Sequence, residues 1–210
     1  MTDGKALGEL DRFGGTATKI QGAVAAGVDW VQLREKDLSG GDLLSLARSA
    51  VRLAAESPSA KTRVIVNDRL DVALAAGAAG VHLGGESFPP RDVIPWCRNG
   101  NAPSEFMIGV SCHDLAGARD AESAGASYIF FGPVFDTPAK RKFGQPQGLA
   151  KLGDICRAVR IHVIAIGGVD QTNAPECFRA GAHGIAAIRL FQKENGLEEL
   201  KRMVTRLREV

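Results

Sequence analysis

No apolar run in this chain exceeds about six residues, far short of the roughly twenty that span a bilayer. The N-terminus begins Met-Thr-Asp-Gly-Lys and carries no apolar signal region. A membrane-inserted or secreted protein is therefore not expected, and a cytoplasmic one is. Cysteine is scarce and unpaired. Cys97, Cys112, Cys156 and Cys177 stand far apart with no metal-ligand or disulfide spacing, so they read as reduced thiols. Cys112 alone lies beside polar motif residues, and packing is its expected role.

Concentrated charge is missing as well. The 26 Lys and Arg balance 24 Asp and Glu to a net +2, and only Lys140, Arg141 and Lys142 form a basic cluster. A nucleic-acid binder gathers its positive charge on one face, so no nucleic-acid partner is expected. The partners implied are phosphorylated small molecules, with homo-oligomerisation left open. An early glycine-rich phosphate turn, the mark of an open dinucleotide-binding sheet, is absent too.

What is present is a repeat. Ala26-Gly27-Val28-Asp29, Ala76-Gly77-Ala78-Ala79, Ala124-Gly125-Ala126-Ser127 and Ala180-Gly181-Ala182-His183 each lead into a short apolar segment. Those segments are Trp30 to Leu33, Gly80 to Leu83, Tyr128 to Phe131 and Gly184 to Ala187. The glycine suits the left-handed position just past a helix end. Successive repeats lie roughly fifty residues apart, about the length of two strand–helix units. Further strand-like runs fall between them: Arg63 to Val66, Met107 to Val110 and His162 to Ile166. Helical periodicity fills the gaps, as in Leu43, Leu44, Leu46, Ala47, Ala50, Val51, Leu53 and Ala54.

Strict alternation calls for a parallel sheet covered by helices, and four repeats of two units give eight. The expected fold is a single (β/α)8 barrel over residues 1–210, of the TIM type. An open doubly wound sheet is the alternative. Only seven strands are visible, and just Met1 to Asp3 remain for the first, before a helix from about Gly15 to Ala25. The first strand is expected to be truncated or missing.

Barrel chemistry gathers at the carboxyl ends of the strands. There the chain places Gln32, Arg34, Glu35 and Lys36; Asn67, Asp68 and Arg69; His82 with Gly84 and Ser87; Ser111, Cys112 and His113; Gly132 to Lys140; Gly167 and Gly168; and Arg189. Singly, each has a plain reading: Arg34 with Glu35 as a surface ion pair, Asp68 as a helix cap, the two glycines as a tight turn. Gly167 and Gly168, followed by a helix from about Gln171, also suit an anion, because bare backbone amides and a helix N-terminus favour negative charge. The connection from Gly132 to Gln147 reads as a lid that brings Lys140 to that anion.

Val31-Gln32-Leu33-Arg34-Glu35-Lys36, Val66-Asn67-Asp68-Arg69, Gly80-Val81-His82-Leu83-Gly84, Ile108-Gly109-Val110-Ser111, Gly132-Pro133-Val134-Phe135 with Thr137 and Lys140, and Ala165-Ile166-Gly167-Gly168 stand in one order. Together they resemble the thiamine phosphate synthase/TenI family from Thr2 to about Phe191. The resemblance implies an enzyme that condenses a pyrimidine pyrophosphate with a thiazole phosphate and releases pyrophosphate. It also implies roles. Gln32, Arg34, Lys36, Asn67 and Lys140 would hold the pyrophosphate, Asp68 would bind magnesium, and Ser111 would sit against the pyrimidine. Thr137, Gly167 and Gly168 would hold the thiazole phosphate, with His82, His113 and Arg189 as further substrate contacts.

Three positions depart from the synthase pattern. Ser87 stands where a second magnesium-binding aspartate is expected. Ala139 replaces a hydroxyl residue before Lys140, and Arg189 replaces a small hydroxyl residue near the phosphate. Arg189 either clamps a phosphate or fills its pocket. The Ser87-Phe88-Pro89 stretch resembles the TenI branch, which isomerises the thiazole without metal. Pro133, however, occupies the place of that branch's proton-transferring histidine, leaving His82 or His113 as the base. A non-catalytic barrel that binds thiazole phosphate is the third alternative.

Overall fold

The computed structural model describes residues 1–3, 12–57, 61–137, 145–192 and 196–209. Seven parallel strands follow one another in the sheet in chain order. They are β1 (Trp30–Leu33), β2 (Arg63–Asn67), β3 (Gly80–Leu83), β4 (Met107–Cys112), β5 (Tyr128–Phe131), β6 (His162–Ile166) and β7 (Gly184–Ala186). The helices between and around them are α1 (Arg12–Ala25), α2 (Gly40–Glu56), α3 (Leu70–Ala75), α4 (Pro90–Trp96), α5 (Leu115–Ala124), α6 (Gly148–Ala158), α7 (Ala174–Arg179), α8 (Arg189–Gln192) and α9 (Leu197–Arg208). This alternation is the (β/α) barrel class of fold, and the seven strands match the runs read from the sequence. No described helix is long and apolar enough to cross a membrane.

The chain divides into two compact units, Met1–Val81 with Ile188–Glu209, and His82–Ala187. In the first, β1 and β2 pair with Gln32 opposite Ile65 and Leu33 opposite Val66. Helix α2 buries Leu43, Leu46, Ala47, Ala50 and Ala54, while Leu44, Val51 and Leu53 of the expected stripe are half-buried. Ser39 opens it by accepting the Asp42 amide at 3.1 Å. Ahead of α1, residues 1–3 bond to β1. The Thr2 amide donates to the Gln32 carbonyl at 2.8 Å, and the Arg34 amide donates to Thr2 Oγ1 at 2.9 Å. Thr2 thus meets one acceptor and one donor on the edge of β1 that an open edge leaves bare.

In the second unit β4, β5, β6 and β7 pair in parallel, with Gly109 opposite Tyr128, Tyr128 opposite His162 and Ile164 opposite Gly184. All four residues of β5 are buried, as expected of a parallel strand covered on both faces. Across both units the four repeat glycines Gly27, Gly77, Gly125 and Gly181 have φ between 66° and 100°, a region in which a Cβ is strained. This is why the repeat carries glycine at that position.

Candidate functional site

At the carboxyl ends of β1 and β2 the structure brings together Gln32, Asn67 and Asp68. Gln32 Nε2 donates to Asn67 Oδ1 at 3.1 Å, and Asn67 Nδ2 donates to an Asp68 oxygen at 2.5 Å. Gln32 is 4% exposed, and its Oε1 is a buried acceptor with no hydrogen-bond partner among the described residues. Such an acceptor costs free energy until a donor meets it. Asp68 is the one described non-glycine residue with positive φ, at 63°. That conformation costs about 1 kcal/mol or more, and it sets the carboxylate against the Asn67 amide. The helix-cap reading of Asp68 does not hold. The residue preceding α3 is Arg69, and no side chain caps that helix. The surface ion-pair reading of Arg34 with Glu35 also fails, because Glu35 is 8% exposed.

Around this trio Arg34 is half-buried and Lys36 exposed. Arg69 is committed to Asp71 through two hydrogen bonds of 2.9 and 2.6 Å. The mutual attraction raises the Arg69 pKa and lowers that of Asp71. Arg189 opens α8 and is exposed. Lys140, with the rest of 138–144, lies outside the described residues.

In the second unit His82, 2% exposed, lies between two hydroxyls. Its Nδ1 is 3.2 Å from the Tyr128 hydroxyl and its Nε2 is 2.9 Å from Ser111 Oγ. The imidazole stacks on Phe130 at 4.2 Å between ring centres. Tyr128 and Phe130 escape sequence reasoning because both belong to an apolar strand segment. Their one signal is that Tyr128 is the only tyrosine of the chain. His113 Nδ1 contacts the Gly132 carbonyl. A carbonyl can only accept, so Nδ1 carries a proton, and the neutral form of the ring has its lone pair on Nε2. Cys112 is buried, and burial pushes its thiol up to about 12. It packs, as expected, and is not a nucleophile.

Gly167 and Gly168 follow β6 with φ of 92° and 71°. A Cβ on Gly167 would lie 2.6 Å from Pro133, and one on Gly168 would lie 2.7 Å from Phe135 Cβ. The Phe135 amide donates to the Gly167 carbonyl at 2.9 Å. The turn thus needs both glycines for its own geometry. The helix expected from about Gln171 begins at Ala174 and has six residues. Its approach is already satisfied, because Asp170 Oδ1 accepts the Thr172 and Asn173 amides at 2.8 and 3.2 Å. A carboxylate there offsets the positive potential on which an anion would draw. Thr137 is half-buried. Ser87 closes the turn after β3, its Oγ accepting the Gly84 amide at 2.7 Å.

The family model described as "Thiamine monophosphate synthase" matches residues 11–191. A putative thiamine-phosphate synthase of Geobacter sulfurreducens is 45% identical over 169 residues, 80% of this chain and 76% of that protein. A thiamine-phosphate synthase of Methanoculleus marisnigri is 42% identical over 79% of this chain and 75% of its own. Among solved structures, thiamine phosphate pyrophosphorylase from Pyrococcus furiosus aligns with a TM-score of 0.82 at 29% identity, covering 99% of this chain and 93% of that one. A 3-hexulose-6-phosphate synthase, at 19% identity and TM-score 0.67, shares the fold.

Proposed function

The chain belongs to the thiamine monophosphate synthase family, and on that premise we propose that it is the transferase that joins a pyrimidine pyrophosphate to a thiazole phosphate. The bond from the pyrimidine methylene to oxygen breaks and pyrophosphate leaves. The thiazole nitrogen then bonds to the methylene, giving thiamine phosphate. The observation that carries this reading is the Gln32–Asn67–Asp68 chain at neighbouring strand ends, anchored by buried Gln32. It holds polar groups in fixed positions, one of them in a strained conformation, where a simple barrel needs none.

In this reading Gln32, Arg34, Lys36, Asn67 and Lys140 hold the pyrophosphate. Their donors and positive charges favour the state in which negative charge has built up on the leaving oxygen. Ser111 contacts the pyrimidine, and the expected substrate contact of His82, which is buried with both nitrogens on hydroxyls, is made through Ser111. Thr137 and the amides about Gly167 and Gly168 contact the thiazole phosphate, with Arg189 as a further phosphate contact. Because Asp170 already serves the turn before α7, the phosphate depends on the glycine amides and on hydroxyl or arginine donors more than on a helix dipole. The reaction is assigned to residues 1–210 as one domain acting in the cytoplasm, where free thiols suit the redox poise. Self-association of that domain is part of the same reading.

Among the described residues no group of three His, Cys, Asp or Glu side chains gathers as a metal cluster. Asp68 is one carboxylate, and the Ser87 oxygen already accepts an amide. That donor set fits magnesium brought with its phosphates, since this ion commonly takes one or two carboxylates and completes its shell with phosphate oxygens and water. When bound, magnesium neutralises the departing pyrophosphate. With both substrates and magnesium, pyrophosphate release should be measurable, and Asp68→Ala or Lys140→Ala should reduce it at least a hundredfold. Absence of turnover with both genuine substrates under every divalent metal would remove the proposal.

His113 favours a second reading, metal-free isomerisation of the thiazole phosphate. Its Nδ1–H is fixed on the Gly132 carbonyl, so its Nε2 lone pair can accept a proton. Isomerase activity that persists undiminished in the His82→Ala/His113→Ala double variant would rule out both as its base.

A further inference from the structure

We propose that Tyr128 is a positioning residue: its phenol fixes His82 as the Nε2–H tautomer and so turns the Ser111 hydroxyl proton toward the substrate, as a donor to an acceptor atom of the pyrimidine ring. This rests on the transferase reading given above and adds to it a residue and a polarity. A neutral imidazole has one donor nitrogen and one acceptor nitrogen, and both nitrogens of His82 are engaged by hydroxyls, at 3.2 Å from Tyr128 and 2.9 Å from Ser111. Which nitrogen carries the proton follows from acidity. A phenol, with an ordinary pKa of about 10, is a far stronger donor than an alkyl hydroxyl. The imidazole lone pair therefore pairs with Tyr128 on Nδ1, leaving Nε2–H to donate to Ser111 Oγ.

Burial supports the same polarity. Tyr128 is 1% exposed, and burial raises its pKa, so the phenol keeps its proton and remains a donor. The chain starts in the core at Tyr128 and His82 and ends at half-buried Ser111. Once Ser111 Oγ accepts from His82, its own proton must find a different acceptor. The linked bonds polarise one another in a low-dielectric interior, which strengthens Ser111 as a donor. A ring nitrogen bearing a lone pair fits it, whereas an amino group does not.

The backbone makes room for this arrangement. Gly109 lies opposite Tyr128 in the β4–β5 register, and a Cβ there would overlap the phenol ring. A glycine inside a strand is otherwise unfavourable, and here it admits the one tyrosine of the chain. Sequence reading takes Gly109 and Tyr128 as ordinary strand residues, and only the register shows that they form a pair.

The test uses the full chain with 15N-labelled histidine, of which there are four residues. Long-range proton–nitrogen spectra should show His82 as the Nε2–H tautomer, and a Nδ1–H tautomer overturns the proposal even if no variant folds. Tyr128→Phe should lower kcat/KM for the pyrimidine pyrophosphate about tenfold, the loss expected when one hydrogen bond no longer orients its partner. KM for the thiazole phosphate should not change. In a Ser111→Ala background the same substitution should have no further effect. Equal losses in both backgrounds would mean that Tyr128 acts only through packing. If the unaltered protein shows no turnover, the transferase reading fails by itself. Calorimetric binding of the pyrimidine pyrophosphate to the same four proteins then decides between positioning and packing by the same pattern.

Discussion

At the residue scale, His183 shows how one hydrogen bond sets a pH response. The Val163 amide donates to its Nδ1 at 3.2 Å, and its ring lies 4.9 Å from that of His162. Burial first, and the neighbouring His162 charge second, lower its pKa. Well above pH 6.5 neither the folded nor the unfolded chain protonates this histidine appreciably, and no stability is lost. Below it the unfolded chain binds more protons, so stability should fall as the pH drops. Urea midpoints at pH 7.5 and 5 should show this fall, and His183→Gln, which keeps an acceptor for Val163, should reduce it. Thr2 makes a second case. Thr2→Val removes the acceptor of the Arg34 amide and should cost about 1 kcal/mol in denaturant titration. An unchanged midpoint would show that water replaces the bond. Residue identities such as Asp68 and Ser111 were legible in the sequence as members of motifs. The Asp68 backbone conformation and the Tyr128–His82 bond were not, since each depends on a partner or a turn that spacing does not encode.

Elements follow local rules closely. Helix α5 is held at its start by Asp114, whose carboxylate accepts the Gly117 amide at 2.8 Å, and at its end by Gly125 with φ of 92°. Asp114→Ala should cost about 1 kcal/mol. Gly125→Ala should cost a similar amount or more through left-handed strain, with Ile94 Cγ2 at 3.4 Å from the added methyl. The two ends share no bond, so the double variant should lose the sum, and a clear departure from additivity in thermal melts would contradict that. Strand and helix positions were readable because apolar periodicity and end-of-helix glycines act within a few residues. The start of α7 was misplaced by three residues because Asp170 builds a side-chain-bonded turn over 170–173. Glycine and threonine there look the same in sequence whether they open a helix or precede one.

On the scale of the whole molecule, the functional reading predicts how metal should behave. With Asp68 as a single carboxylate, magnesium alone should raise the melting temperature little. Magnesium with pyrophosphate should raise it by several degrees, through linkage to a bound state. An equal rise with magnesium alone would reveal a resident metal site and overturn the substrate-borne assignment. The sequence by itself determined the barrel class, seven of its strands and the family. Each of these rests on short-range patterns of burial and turn geometry, or on motifs held in order. Only the tertiary structure decided that Gln32 reaches Asn67, that Asp170 answers the amides before α7, and that Gly109 makes way for Tyr128. Those pairings join residues on different strands, or a side chain to a particular backbone atom. They follow from register and packing, which are set by the chain as a whole and not by any stretch of it.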